Sequence, residues 1–256
     1  MMHDSDLKGE KLPELRARVD GMLEQLHEEF YRSVEGGSHL ATAEEINQEY
    51  YKRHVIEIIL RLRMKRWIDA LTIHYFTKHE PFLAKKWAQY TEDEMLHDRM
   101  FVKDLQSMGI TLEDVYREKP MFSTKILQGY FYYGLEHEGR PLASLCSSYF
   151  IEKMSQVTQP KWLENVEKRL GKGSARGQIA HVNHDKEDDH VSFVWNVIAT
   201  FVKSPADEEE IVEHIHNVYK LFCAFYTELH HTTIAKADPT KAIVRQLAKG
   251  KAPRSS

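Results

Sequence analysis

Hydrophobic residues recur at helical spacing along most of this chain, and no stretch alternates apolar and polar residues over the length of a strand. After Pro13, the residues Leu15, Val19, Leu23, Leu26 and Phe30 keep one face apolar until Gly36-Gly37 stops the helix. Thr42 followed by Glu45 predicts a capping box that opens a second helix, with Tyr50, His54, Ile58 and Leu62 along it toward Leu71. A third helix is predicted over 81–108 and stopped by Gly109, then a short one capped by Thr111 with Asp114. Tyrosine-rich 122–138 ends at Gly139-Arg140-Pro141. Segments 142–154 and 161–170 follow, the second closed by Gly171, and the last long helix covers about 207–232. With no hairpin signal and no internal repeat, the pattern predicts an all-α chain packed as one compact bundle. Residues 1–12 are expected as a loose tail, 13–238 as a single helical domain, and 239–256 as a frayed basic tail.

One stretch breaks its own period. In 180–201, Val191, Val194, Trp195, Ile198, Phe201 and Val202 form a stripe expected to be buried. Continued backwards, the stripe meets His181, His184 and Asp188, flanked by Asp185, Glu187 and His190. Imidazoles and carboxylates buried without partners cost several kcal/mol each, so this pattern points to a bound ion or to mutual pairing.

Composition narrows the function classes. The 256 residues carry a formal net charge of -4, with Lys and Arg scattered among Asp and Glu, so there is no basic stripe for nucleic acid. The two cysteines, Cys146 and Cys223, lie inside helical patterns and suit a reducing compartment. The polar N-terminus has no apolar targeting core and no apolar run is long enough for a bilayer, so a cytoplasmic protein without a membrane partner is expected. A Gly-rich phosphate loop is missing, which counts against a nucleotide enzyme.

Two further helices offer ligands beside the 181–190 cluster. Glu94 and His97 are one turn apart on a face continued by Phe101, Leu105 and Met108, the Glu-x-x-His spacing by which bundles hold paired metals. Glu152 shares a face with Leu145 and Tyr149 and supplies one inward carboxylate; Glu57 is a further carboxylate on the second helix. In 181–190 three registers compete: His181 with Asp185 and Asp188, His184 with Asp188, and Glu187 with His190. Carboxylate mixed with imidazole suits iron or manganese, and a structural zinc is disfavoured because neither cysteine has a ligand-spaced partner. The Glu136-His137-Glu138 cluster adjoins a helix break and reads as an exposed terminus.

The order of these motifs resembles the heme-oxygenase-like di-iron oxidases and oxygenases, relatives of heme oxygenase, thiaminase II and pyrroloquinoline-quinone synthase. Glu94-Met-Leu-His97, the run from Pro141 to Glu152 and the His/Asp helix from His181 carry the resemblance, over about residues 45–205. It implies a bundle of about seven core helices holding Fe(II), two ions per chain, that reduces dioxygen to oxidise a small metabolite such as an amino acid or fatty acid derivative. An electron donor of unknown identity is implied as well. By the same resemblance Glu94, His97 and Glu152 match the early ligands, with Glu152 bridging, and His181 with Asp185 matches the first half of His-x-x-x-Asp-x-x-His. Asp188 stands where the second His is expected, and His190, two residues on, would need a π-bulge to reach that face. Alternatives are a metal-independent enzyme of the thiaminase II or quinone-synthase kind and a non-catalytic helical binding protein. Aromatic residues such as Trp67 and Tyr75, expected on the surface, are compatible with a homodimer.

Overall fold

A computed structural model describes residues 2–185 and 189–249, apart from the side chains of Asp4, His184 and Asp185. Among the described residues every regular element is helical. The order is α1 (Pro13–Ser33), α2 (His39–Thr42), α3 (Gln48–His79), α4 (Pro81–Glu94), α5 (Asp98–Phe101), α6 (Leu112–Arg117), α7 (Phe122–Glu136), α8 (Leu142–Leu170), α9 (Arg176–Asp185), α10 (His190–Ala199), α11 (Pro205–Thr233) and α12 (Thr240–Ala248). The all-α expectation holds.

The long helices α3, α8 and α11 form the frame. α3 packs on α4 and α7, α11 on α8, α7 and α3, and α10 on α8. α1 buries the five residues whose spacing predicted it. The capping box at Thr111 and Asp114 forms as expected, with both reciprocal bonds present.

Four boundaries differ from the sequence pattern. Thr42 closes short α2 by bonding back to Ser38, and α3 is instead capped by Asn47, whose Oδ1 accepts from the Tyr50 N–H at 3.0 Å. The helix expected over 81–108 ends at Glu94; the chain then runs through a turn, α5 and two 3₁₀ turns (Val102–Asp104 and Gln106–Met108) to Gly109. Conversely, 142–170 is one continuous helix with Pro160 inside it, because packing on both sides outweighs the one backbone bond that proline deletes. The stretch 180–201 is two helices, and its stripe is buried at Val191, Val194, Trp195 and Ile198 but only half-buried at Phe201 and Val202, beyond the end of α10.

Both presumed tails are partly built in. Trp195 Nε1 donates to the Lys11 carbonyl at 2.7 Å, and Asn196 Nδ2 to those of Leu7 and Gly9, fixing the segment before α1. Beyond Pro239, α12 lies on α11 and buries Ile243 and Gln246.

One close approach sets the position of α9. A Cβ built on Gly177 would lie 2.1 Å from the Met100 carbonyl oxygen, so the first turn of α9 touches the backbone of α5. Asp104 then caps that turn, accepting from the Gly177 and Gln178 N–H groups at 2.5 and 3.3 Å and from Gln178 Nε2 at 3.1 Å. Gly177→Ala should therefore cost at least about 2 kcal/mol of stability, since backbone has to move. Gly129→Ala, where an added Cβ meets open space on α7, should leave stability unchanged or raise it by about 1 kcal/mol. Paired urea melts check both, and equal behaviour of the two variants would contradict the close contact.

Candidate metal centre

The breaks in α4–α5 and α9–α10 fall at one place. Glu94 is the last residue of α4 and His97 sits in the turn that follows, closed by the bonds Met95 N–H to Glu92 and His97 N–H to Glu94 at 3.3 Å each. α9, held against α5 by Gly177, brings the His181 ring edge-on to that of His97, with centroids 4.4 Å apart, and against Phe101 at 5.0 Å. His190 opens α10, whose N-cap Asp189 accepts from the Ser192 N–H, and its buried ring turns inward beside Tyr90. Glu152 enters from the middle of α8.

Among the described residues two three-donor clusters result, and both contain Glu94. In the first, Glu94, His97 and His181 place one ligand atom each within 4.8 Å of one another; in the second, Glu94, Glu152 and His190 do the same. Glu94 uses a different oxygen toward each. Oε2 is 3.1 Å from His97 Nδ1, and Oε1 is 3.5 Å from His190 Nδ1, which is itself 3.9 Å from Glu152 Oε1. Glu94 Oε1 and His190 Nδ1 are both buried and neither makes a hydrogen bond among the described residues. Ligand atoms on one first-row ion at about 2.1 Å lie about 3.0–3.4 Å apart at ordinary angles, close to this spacing. Oxygen and imidazole donors without thiolate fit iron or manganese.

Burial acts to raise the Glu94 carboxyl, but the hydrogen bond and charge of His97, helped by Lys65 and His181, outweigh it and hold the group at about 2. Tyr90 is pushed well above the usual phenol range by burial and by the Glu152 and Glu94 charges, so it stays protonated and donates to Glu152 Oε1 at 2.9 Å. Behind it, Asp69 is buried and accepts from Lys65 Nζ at 2.6 Å and Trp87 Nε1 at 3.3 Å, while the Lys65 ammonium lies 5.0 Å from the Tyr90 ring centroid.

The structure thus brings together Glu94, His97, Glu152, His181 and His190. Asp188 and Glu187 lie outside the described residues, as do the side chains of Asp185 and His184. His190 stands at the start of α10, a helix separate from the one that carries His181. Among the described residues Glu94 belongs to both clusters and Glu152 to the second alone. Glu57 belongs to neither cluster among the described residues: buried in α3, it accepts from Thr124 Oγ1 at 2.6 Å, from the Met121 N–H at 2.9 Å and from Arg53. Glu136, His137 and Glu138 are exposed, as expected. The pattern passed over Tyr90, Lys65 and Asp69, although Tyr90 precedes Glu94 by one turn and Lys65–Asp69 is an i, i+4 ion pair.

The cluster closes one end of a cavity of about 200 Å³ between α3, α8 and α11, lined mainly by apolar side chains including Ile58, Phe131, Phe150 and Phe222. Neither cysteine offers a ready thiolate. Burial pushes the Cys146 thiol above the normal range and raises Cys223 to about 12.

Asp104, which caps the helix carrying His181, is raised by burial from the ordinary 3.8 to about 6, against the lowering effect of its hydrogen bonds to Gly177 and Gln178. Between those values the folded state binds more protons than the unfolded chain, so the contribution of Asp104 to stability falls as pH rises from about 4 to about 6. Urea melts across that range should show the slope of stability against pH shifted in the positive direction for Asp104→Asn relative to the wild type, and an unchanged slope would remove Asp104 as a contributor.

No family model matches the chain, and no curated protein matches its sequence. Solved structures do match. A domain of unknown function with a heme oxygenase-like fold from Shewanella denitrificans OS217 superposes with a TM-score of 0.70 at 18% identity, covering 94% of this chain and 97% of its own. A TenA homologue from Pyrococcus furiosus gives 0.61 at 15% identity over 84% of this chain and 99% of its own. A CADD-like protein of unknown function from Nostoc punctiforme PCC 73102 gives 0.59 at 13% identity over 85% and 99%. At such identities the likeness speaks for architecture alone. The architecture expected from the motif order is therefore the one observed, and the chain has the heme-oxygenase-like fold.

Proposed function

We propose that this protein is a non-heme iron oxidase or oxygenase that holds two Fe(II) ions, or manganese in their place, and oxidises a small metabolite. The observation that carries the proposal is the pair of three-donor clusters that share Glu94 through its two oxygens. Glu94, His97 and His181 would hold one ion and Glu94, Glu152 and His190 the other, with Asp185 and Asp188 proposed as further ligands on the sequence motif alone. When bound, such a pair supplies open positions and electrons for dioxygen reduction.

The chain's own residues then have distinct tasks. Glu94, held ionised by His97, Lys65 and His181, supplies the negative charge that makes two cations tolerable in a buried site. Tyr90 donates to Glu152 Oε1 and so fixes which carboxylate oxygen remains for a ligand role. Asp69, through Lys65 and Trp87, holds the wall behind Tyr90. Phe101, Phe131 and Phe150 keep water from the cavity side, so a reactive species formed there meets substrate before solvent. Substrate, dioxygen and an electron donor are the partners this function requires. The buried, high-pKa cysteines speak against covalent catalysis through a thiol.

Among the described residues no helix is long and apolar enough to cross a membrane. A homodimer remains a proposal, compatible with the 69% exposure of Trp67; Tyr75, by contrast, is half-buried against Phe76, His79 and Phe201.

Anaerobic Fe(II) titration with metal analysis tests the assignment. The wild type is expected to retain two ions per chain, His190→Ala and His181→Ala one each, and Glu94→Ala neither at the same free metal concentration. Far-UV circular dichroism should stay unchanged in all three variants. Retention of two ions by Glu94→Ala would exclude the shared-carboxylate arrangement, and a wild type that takes up neither iron nor manganese would sink the function.

A further inference from the structure

The cavity that ends at Glu94 and Glu152 holds a second polar feature that metal binding leaves without a task. α3 presents Ile58, Arg61, Leu62, Lys65 and Ile68 to it at helical spacing. The other basic residues on the inner side of α3 are paired, Arg53 with Glu57, Lys65 with Asp69 and Arg66 with Asp98. Arg61 is not. Among the described residues it has neither a carboxylate within 4.0 Å nor a hydrogen bond, and its Nη1 is fully buried. Its guanidinium lies instead on the rings of Phe225 and Phe222, 4.3 and 5.2 Å from their centroids. Across the same cavity, Gln128 and Gln159 each have a buried Oε1 without a partner. Those side-chain amides also carry N–H donors that an anion can use.

A guanidinium stays charged in a protein, and Glu57, which acts on Arg61 only at longer range, is committed to Arg53, Thr124 and the Met121 N–H; a buried charge without a directly bonded carboxylate costs several kcal/mol. An apolar cavity with one such charge in its wall is built for an anion that arrives with the ligand. We infer that the cavity binds a small organic carboxylate, with the carboxylate on Arg61 and the hydrocarbon body between α3, α8 and α11. This inference rests on the oxidase function proposed above and adds the substrate class to it.

A single planar fork matches the two oxygens of a carboxylate. A phosphate dianion would need a second free cation, and Lys65 is committed to Asp69. For scale, a cavity of about 150 Å³ accepts benzene, so about 200 Å³ suits a body of roughly ten non-hydrogen atoms. Arg61 is one helical turn, about 6 Å, from Lys65, which lies beside Tyr90, which in turn bonds Glu152. The carbon presented to the metal cluster is therefore several bonds from the carboxylate and not adjacent to it.

Binding of 4-phenylbutyrate and of 4-phenylbutyramide to the chelator-treated full-length chain, measured by isothermal titration calorimetry, separates this from the metal assignment. The acid is expected to bind at least ten-fold more tightly than the amide. Arg61→Gln should abolish that preference while leaving amide affinity and Fe(II) stoichiometry unchanged, and Arg61→Lys should restore part of it. Arg61→Met should melt higher than the wild type without ligand, since it removes an uncompensated buried charge, whereas a purely structural Arg61 would make it melt lower. Equal affinity for acid and amide, no binding of either, or a preference that survives Arg61→Gln would each overturn the inference. So would tighter binding of 4-phenylbutylphosphonate than of the acid. A wild type that prefers the acid yet takes up no iron would keep this site and discard the oxidase.

Discussion

A buried carboxylate that faces two ways is the constraint on which the rest of the structure turns. Glu94 sits between His97 on one side and His190 on the other, too far from water to be left without compensation. Its ionised state needs cationic or imidazole neighbours, and those neighbours come from three separate helical segments. A single straight helix over 81–108 would offer Glu94 and His97 on one face but would leave no room for a second imidazole arm. Ending α4 at Glu94 and turning the chain opens that room. The same holds for 180–201, where a break lets His181 and His190 approach from two directions.

These breaks have an energetic cost, since each interrupts the backbone ladder and exposes helix ends. Local devices offset it. Asp104 caps α9, Asp189 caps α10, and the absence of a side chain at Gly177 lets α9 touch the carbonyl of Met100. The frame of α3, α8 and α11 is continuous and apolar, so the irregular segments are held by rigid neighbours. Functional geometry is concentrated where the helices stop, and stability where they continue.

The interior is polar only in a graded way. Around the cluster, Tyr90, Asp69, Lys65 and Trp87 satisfy one another, which keeps the wall fixed without adding net charge. Farther along the cavity, burial and the Arg61 charge hold His54 at about 3, so it stays neutral and meets the Tyr226 hydroxyl at 3.2 Å. The Arg61 guanidinium rests on the faces of Phe225 and Phe222, with no carboxylate within 4.0 Å among the described residues. A neutral His54 and a guanidinium without a directly bonded carboxylate thus line the same cavity as the carboxylates of Glu94 and Glu152. A ligand with an anionic head and an apolar body fits that lining in one orientation.

Much of this was legible in the sequence. The apolar period determined the all-α class and the bounds of α1; the interruption of that period at His181 and the Glu94–His97 spacing pointed to residues that the fold gathers into the candidate metal centre. What the sequence could not decide was register across helices. Whether His190 or a neighbour reaches Glu94 depends on where a helix breaks and at what angle it resumes, and local propensity at 186–189 does not fix that angle. Glu57 was a further carboxylate on the second helix by type alone; its bonds to the N–H of Met121 and the hydroxyl of Thr124, some sixty residues away, appear only in the fold. Arg61 was one basic residue among 35 Lys and Arg until packing separated the paired from the unpaired. Periodicity is a property of neighbours along the chain, whereas the partner of a buried charge is chosen by tertiary packing, and only the folded structure holds that information.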